Sequence, residues 1–464
     1  MKIRLMMAAL LLCGIGQAQL TVEKIMRDPK WIGASPSNAF WSQDSKTVFF
    51  GWNPSQEISD SVYQFAIGSS EPKKTHYIES QKALAINSGI YNSTNTQLTF
   101  VYRGDIFLMD LKTNSITRVT QTEDFESNPK FTNNNEWLVY TKNQNLYSWN
   151  IKTGAIQQLT NIKTGGENAT VTAPVMGVRA GGGGQRAEAS SGRATVGVAA
   201  GQDQWLQQNN LALSDILRER KKKKEARDAF IKSNKDVDTI KLINVGDKQV
   251  QALQISPDTR FISYRLYTAP TPSKNTIVPD YMAETGYTTD LPGRTKVGNA
   301  LGKFETWIYD NQRDTVYAIS TDSIPGITDV PDYTKDYPQK FANKKITARS
   351  VSINGPIWND AGTVAIVDIR SQDNKDRWIM RVNPENGKLS LIDRQRDEAW
   401  VGGPGVNGFG ANIGWINENQ LYYQSEATGY SHLYIYDTKT ETKKAITAGK
   451  YEVQNVVLSK SKQN

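Results

Sequence analysis

Apolar and polar residues alternate with period two in short runs along most of the chain. The pattern is clearest in residues 413–447. There a run QLYYQ (420–424) leads through a polar turn (427–429) to a second run HLYIYD (432–437), then a charged turn (438–441) and a short run ending in Thr447. Alternation of this kind, rich in Tyr, Leu and Ile and bounded by Gly, Asn and Asp, predicts half-buried antiparallel strands. One copy is a small meander sheet, and several in series predict an all-β fold, a β-propeller of four-stranded blades.

The phrase "aromatic, Ser, polar turn, strand" first occurs at Phe40-Trp41-Ser42 followed by residues 47–50. A second copy joins LTFVY (98–102), DIFLMD (105–110) and ITRVT (116–120), and a third joins WLVYT (137–141), NLYSW (145–149) and IQQLT (156–160). Their final residues, Thr120 and Thr160, are 40 residues apart, which suits one blade. Residues 250–255, 261–264, 306–310 and 315–319 form a fourth copy, and 363–368, 377–382 and 389–393 a fifth. With 413–447 this makes six, and 456–459 begins another that no strand follows. The expectation is a ring cut short, of about seven or eight blades when complete.

The repeat is interrupted. Residues 164–201 are dominated by Gly, Ala, Ser and Thr, with four glycines at 181–184, and predict a flexible glycine-rich loop. Residues 205–232 predict a helix with Trp205, Leu206, Leu213, Ile216, Leu217, Phe230 and Ile231 as its apolar residues, Ser214 or Asp215 as its cap, and a basic run RERKKKK (218–224). Loops are expected at 269–301 and 323–340. The propeller is thus bounded at 20–464, with a loop-and-helix insertion at 163–249.

Ahead of it, Lys2 and Arg4 precede an apolar run (5–15) and the small residues Gly16 and Ala18. This predicts a signal peptide over residues 1–18 and export to the periplasm or the extracellular space. A lipid anchor at Cys13 is disfavoured by Leu12 in the position before it. Cys13 is the single cysteine, so the mature chain would hold no disulfide. No later apolar run is long enough to span a membrane.

At 464 residues, 38% hydrophobic and 22% charged, the chain can bury a large core, and a net charge of +8 is modest at that size. No nucleic-acid partner is implied: the basic run lacks interleaved stacking aromatics and reads as a solvated helix face.

Candidate chemistry is sparse. The only histidines are His76 and His432, and there is no G-x-S-x-G elbow. His432, opening a strand, reads as structural, and His76 as an exposed loop or edge residue. Two separated histidines and no mature cysteine exclude a zinc site of usual spacing, and no cofactor is expected. Asp368, Asp373, Asp376, Asp393, Asp397 and Glu398 fall where turn chemistry already accounts for them. Gly402, Gly403, Gly405, Gly408, Gly410 and Gly414 lack the strand before and helix after that a phosphate cradle needs, and read as an inter-blade loop.

TVEKIMRDPKWIG (21–33), SPSNAFWSQDSKTVFF (35–50), QSEATGYSHLYIYD (424–437) and KKAITAGKYEV (443–453) together resemble the N-terminal propeller of bacterial prolyl oligopeptidase family serine peptidases. The dipeptidyl peptidase IV-like branch is the nearer one. Its late-blade phrase is met by Ser425, Glu426, Gly429, Tyr430, His432, Leu433, Tyr434, Tyr436 and Asp437. The resemblance implies a propeller that gates and binds peptide substrates beside a C-terminal α/β-hydrolase domain carrying the serine, aspartate and histidine. That domain is not in this sequence, so no catalytic residue is carried over. The branch also holds the substrate's amino terminus with adjacent glutamates on an excursion. Asp203-Gln204-Trp205-Leu206-Gln207 stands there instead, leaving dipeptide release and oligopeptidase specificity both open. A homodimer is compatible with the resemblance. A non-catalytic envelope scaffold and a propeller carbohydrate enzyme are the competing classes.

Overall fold

Each copy is closed by the same local chemistry. In the computed structural model, Ser42 Oγ donates to Asp44 Oδ1 (2.6 Å) and accepts the Thr47 amide (3.0 Å), and Ser256 Oγ accepts the Phe261 amide (2.9 Å). Asn replaces Ser in two other copies, where Asn92 Oδ1 accepts the Thr96 amide (2.8 Å) and Asn359 Oδ1 the Thr363 amide (2.9 Å). A short polar side chain satisfies the amides that a tight turn orphans, so Ser or Asn marks the first turn of a blade. A second signature closes the third turn. Asp110, Asn150, Asp310, Asn383 and Asp437 each accept the amide two residues ahead.

The structure describes residues 34–165, 200–233, 240–271, 275–296, 298–343, 345–406 and 411–459, with Val22 and Lys462. Among them are six four-stranded antiparallel sheets, each in simple meander order. The first is β1 (Ser37–Trp41), β2 (Thr47–Trp52), β3 (Ser61–Ala66) and β4 (Lys73–Lys74); the second is β5 (Ile90–Tyr91), β6 (Gln97–Tyr102), β7 (Asp105–Asp110) and β8 (Ile116–Arg118). The third is β9 (Glu126–Thr132), β10 (Trp137–Lys142), β11 (Asn145–Asn150) and β12 (Ile156–Gln158). A parallel pair, β13 (Asn161–Lys163) with β14 (Leu242–Asn244), follows. The fourth sheet is β15 (Gln249–Ile255), β16 (Phe261–Thr268), β19 (Lys303–Asp310) and β20 (Thr315–Ala318), with a hairpin, β17 (Asn275–Asp280) and β18 (Thr289–Thr295), between its second and third strands. The fifth is β21 (Val351–Trp358), β22 (Ala365–Ser371), β23 (Asp376–Val382) and β24 (Leu389–Arg396); the sixth is β25 (Ile413–Trp415), β26 (Gln420–Ser425), β27 (His432–Asp437) and β28 (Thr442–Ala445). The six sheets fall on the six copies, and the fold is a β-propeller.

The chain divides into two compact units. One takes the sheets, up to residue 157 and again over 252–265 and 304 onward; the other spans 158–251 and 266–303. In the first unit the core runs between successive sheets. Val367, Ile369, Trp378 and Met380 pack with Phe261 and Ile308 of the fourth sheet, while Ile366 and Ile379 pack with Trp415, Leu421 and Tyr423 of the sixth. Alternate residues of β22 therefore face opposite neighbours, and every one of them is buried. This is why residues 364–367, VAIV, are continuously apolar rather than alternating. Each fully buried Ile or Leu here contributes about 1.5–3 kcal/mol.

Several expectations are corrected. Residues 269–301 are not a plain loop but carry β17 and β18; Pro279 and Pro292 obscured them, yet in a two-stranded ribbon each strand is an edge on which a proline's missing N–H costs no ladder bond. β14 lies inside the 163–249 insertion, read from the sequence as loop and helix. A helix Tyr77–Asn87, without a strong apolar stripe, joins the first two sheets, so the inserted helix is not the sole one. The long helix spans Ala200–Ser233, placing Ser214 and Asp215 mid-helix rather than at its cap. Within 323–340 there is a 3-10 turn Asp332–Asp336 and a short helix beginning at Pro338. Residues 456–459 form no strand, because alternation without a hydrogen-bonded neighbour does not make one. The leader and residues 166–199 lie outside the described residues, as do Gly408 and Gly410. Among the described residues no helix is long and apolar enough to cross a membrane.

Candidate functional site: the channel wall of the propeller

The first turns of consecutive sheets meet one another. Tyr91 donates to Gln43; Ser93 and Asn135 exchange two bonds (3.2 and 2.7 Å); and the Asn133 amide donates to the Pro257 carbonyl (2.8 Å). Gly362 sits so close to the next turn that a Cβ would come 2.9 Å from the Asp258 amide nitrogen, and its φ of +72° is one that glycine adopts without strain. The relay ends with the Ala361 amide donating to Glu418 Oε2 (3.2 Å) and Asn359 Nδ2 to the Glu418 carbonyl (3.1 Å). Asn95, Asn133, Asn134 and Asn135 all have positive φ, which explains the asparagine-rich turns.

The first strands are linked as well. Lys130 of β9 donates to Gln254 Oε1 of β15 (3.2 Å), Gln254 Nε2 donates to the Pro356 carbonyl of β21 (2.8 Å), and Trp415 Nε1 of β25 to the Ile357 carbonyl (3.0 Å). First strands therefore form a wall. A cavity of about 960 Å³ opens along the turns, lined among others by Asn92, Asn133, Asn135, Asp258 and Glu418, and one of about 250 Å³ lies between Lys130, Gln254 and Trp358. Lys130 lines both. Its side chain is exposed to water, yet the protein surrounding the cavity partly desolvates the ammonium and holds its pKa below the ordinary lysine value. Nothing in SNPKFT (127–132) marks Lys130 out, since the segment reads as an ordinary strand.

The candidates singled out in the sequence lie elsewhere and are already engaged. His432 is buried, with Nδ1 3.1 Å from Thr447 Oγ1 and Nε2 3.0 Å from the Gly449 carbonyl. Ser425 stands opposite it across the ladder, but both ring nitrogens are taken, so the ring cannot serve as that serine's base. His76 caps the helix Tyr77–Asn87, accepting the Ile78 amide, a role more specific than an exposed loop residue.

The carboxylates are held by structural partners. Asp368 pairs with Arg377, Asp393 with Lys443, and Asp397 accepts the Ala399 and Trp400 amides. Asp376 is buried among three guanidinium groups, those of Arg394 (2.8 Å), Arg396 (2.7 Å) and Arg349 (2.7 Å). Asp373 shares Arg349 and Glu398 shares Arg396. Burial opposes the charge of Asp373, yet its hydrogen bonds and Arg349 bring its pKa below the usual carboxylate value. Gly402 to Gly405 follow the sixth sheet closely: Gly402 donates to Glu426 (3.1 Å) and Gln424 donates to the Pro404 carbonyl (3.2 Å). Gly402, Gly403 and Gly405 lie in the connection between β24 and β25, as an inter-blade loop, and no metal-binding group of His, Cys, Asp and Glu occurs among the described residues.

Six meander sheets chained by their first turns, four of them also by their first strands, make up the propeller. Residues 79–174 and 352–464 match the family model of the dipeptidyl peptidase IV (DPP IV) N-terminal region. The two stretches hold the second, third, fifth and sixth sheets. No curated protein matches the sequence. Among solved structures, Porphyromonas gingivalis dipeptidyl peptidase 4 is 13% identical over 91% of this chain and 48% of its own (TM-score 0.42). A Bacteroides ovatus structure described as a dipeptidyl aminopeptidase IV is 11% identical over 90% and 48% (TM-score 0.40). An oligogalacturonate lyase in complex with manganese is 9% identical over 89% and 77% (TM-score 0.34). The chain spans about half the length of the two dipeptidyl peptidase structures. Similarities this distant carry no information about chemistry.

Proposed function

We propose that this chain is the substrate-gating and substrate-binding propeller of an exported serine peptidase that acts on short peptides, its nucleophile supplied by a hydrolase domain outside this sequence. The family match over four of the six sheets is the observation that supports this most directly. A channel walled by first strands suits a size filter, admitting short or unfolded peptides and excluding folded proteins. Export rests on the leader at 1–18.

The reading is tested on two proteins. The 464-residue chain is expected to leave chromogenic Xaa-Pro peptides uncleaved and to take no fluorophosphonate label; a labelled serine would overturn the assignment. A protein translated from the whole reading frame is expected to cleave such peptides and spare folded substrates. Amino-terminal sequencing of the secreted product should begin at Gln19.

A second reading, a protein-binding scaffold, draws on the hairpin of β17 and β18, whose Tyr281, Met282 and Tyr287 are 78%, 92% and 81% exposed. Replacing the three by Ser separates the two. Peptide cleavage survives in a peptidase, whereas a scaffold loses its stoichiometric partner.

A further inference from the structure

Lys130 carries an ammonium with three N–H donors. One goes to Gln254 Oε1, and that amide is itself fixed by the bond from its Nε2 to the Pro356 carbonyl. Among the described residues no carboxylate pairs with Lys130, although it faces two cavities. Its other two donors face the solvent of these cavities, where an anionic group of a ligand can replace water.

The surroundings narrow the anion. Asp258 and Glu418 line the larger cavity, and Asp360 there is already paired with Lys462. A phosphate or polyanion would be repelled by those carboxylates more strongly than a single carboxylate, whose one charge Lys130 can balance. The remaining lining is polar: the Asn92, Asn133 and Asn135 side chains bond within and between the turns and hold them in place, and Asn134 is exposed beside them with an amide donor and acceptor suited to peptide backbone. A volume of about 960 Å³ accommodates a ligand of a few residues.

We propose that Lys130 is a carboxylate-recognising residue in the channel wall and takes the C-terminal carboxylate of a short peptide, with the asparagine turns contacting its backbone. This rests on reading the channel as a peptide-handling surface. It is a binding function of the propeller itself, separate from the hydrolytic step.

The experiment uses the 464-residue chain and reads Lys130 directly. Lysine acetylation is followed by mass spectrometry with tetra-alanine, amidated tetra-alanine, or an amidated tetrapeptide containing one glutamate. Tetra-alanine is expected to slow Lys130 modification about fivefold or more, while amidated tetra-alanine does not and exposed Lys152 is unaffected. Protection by the glutamate peptide alone would assign the site to acidic side chains and overturn the C-terminal assignment. Equal protection by all three, or by none at millimolar concentration, overturns carboxylate recognition. In calorimetry Lys130→Met should weaken tetra-alanine at least about tenfold and Lys130→Arg should retain part of the affinity; unchanged binding by Lys130→Met also refutes it. Because none of these readouts involves hydrolysis, failure here leaves the peptidase reading standing. Failure of the fluorophosphonate and cleavage tests likewise leaves this one standing.

Discussion

Arg377 of β23 and Asp368 of β22 pair diagonally across the ladder with Nε 2.8 Å from Oδ1, and both side chains are essentially shut off from solvent. Arg377 also donates to the Gln424 carbonyl of the sixth sheet (2.8 Å), so one buried guanidinium ties two blades together. Removing one member of such a pair strands the other charge. Arg377→Met and Asp368→Leu singly are each expected to lower unfolding free energy by about 3–5 kcal/mol, and the double variant by clearly less than their sum. Urea denaturation of the four proteins measures this, and strict additivity would refute the coupling.

Asp310 predicts the acid limb of stability. Burial opposes its charge, but the bond from Arg260 Nη2 (2.9 Å) and the Gln312 and Arg313 amides outweigh burial and hold its pKa below 3.8. A carboxylate whose folded pKa lies below its unfolded value stabilises the fold above about pH 4, and that contribution is lost as pH falls through the folded pKa. Stability should therefore be flat from about pH 7 to 5 and fall below about 4. In Asp310→Asn the midpoint should drop at neutral pH and the acid slope should become shallower.

His432 has a structural job with a defined tautomer. Thr447 Oγ1 accepts the Leu433 amide (3.0 Å), leaving its hydrogen for Nδ1, while Nε2 faces the Gly449 carbonyl and must donate. His432→Ala is expected to cost about 1–3 kcal/mol by leaving these groups unmet. The turnover per folded molecule of any peptidase containing this propeller should stay the same, and a selective loss of kcat would contradict the assignment.

Gly405 has φ +64°, and a Cβ there would lie 1.8 Å from Gln424 Oε1. Gly405→Ala should cost at least about 2 kcal/mol, since backbone strain adds to displacement of a buried amide. Gly68→Ala is the control: φ is +85° but nothing lies within 4 Å, so about 1 kcal/mol is expected. Thermal unfolding of both variants gives the comparison.

The second unit offers a deletion test. Replacing residues 166–239 by a Gly/Ser linker of about 14 residues keeps β13 and β14 and is long enough for their parallel crossover. The melting temperature should stay within about 3 °C, because the linker leaves the six sheets untouched. A larger fall would show that the sheets depend on this segment.

Blades were legible because period-two alternation and the Ser, Asn or Asp of each turn are local. Ser42, Asn92, Ser256 and Asn359 announce first turns on their own. The hairpin around Pro279 and Pro292 was hidden because proline speaks against strands except on edges, and edge status is not written in a run of residues. The Tyr77–Asn87 helix was hidden because only Ser80 is buried in it, so no stripe betrayed it. Lys130 was illegible for a different reason. Its meaning depends on Gln254, 124 positions away, and on a cavity shared by several turns.

The turn-to-turn relay has one more consequence, for the order in which the molecule opens. Each of its links joins a sheet only to the next in sequence, as from Ser93 to Asn135 or from Ala361 to Glu418. Cooperativity in such an array passes between nearest neighbours, so disruption of one blade advances to the next step by step. Amide exchange should then be graded, fastest in β1 to β4 and slowest in β21 to β24, where neighbours on both sides bury the strands.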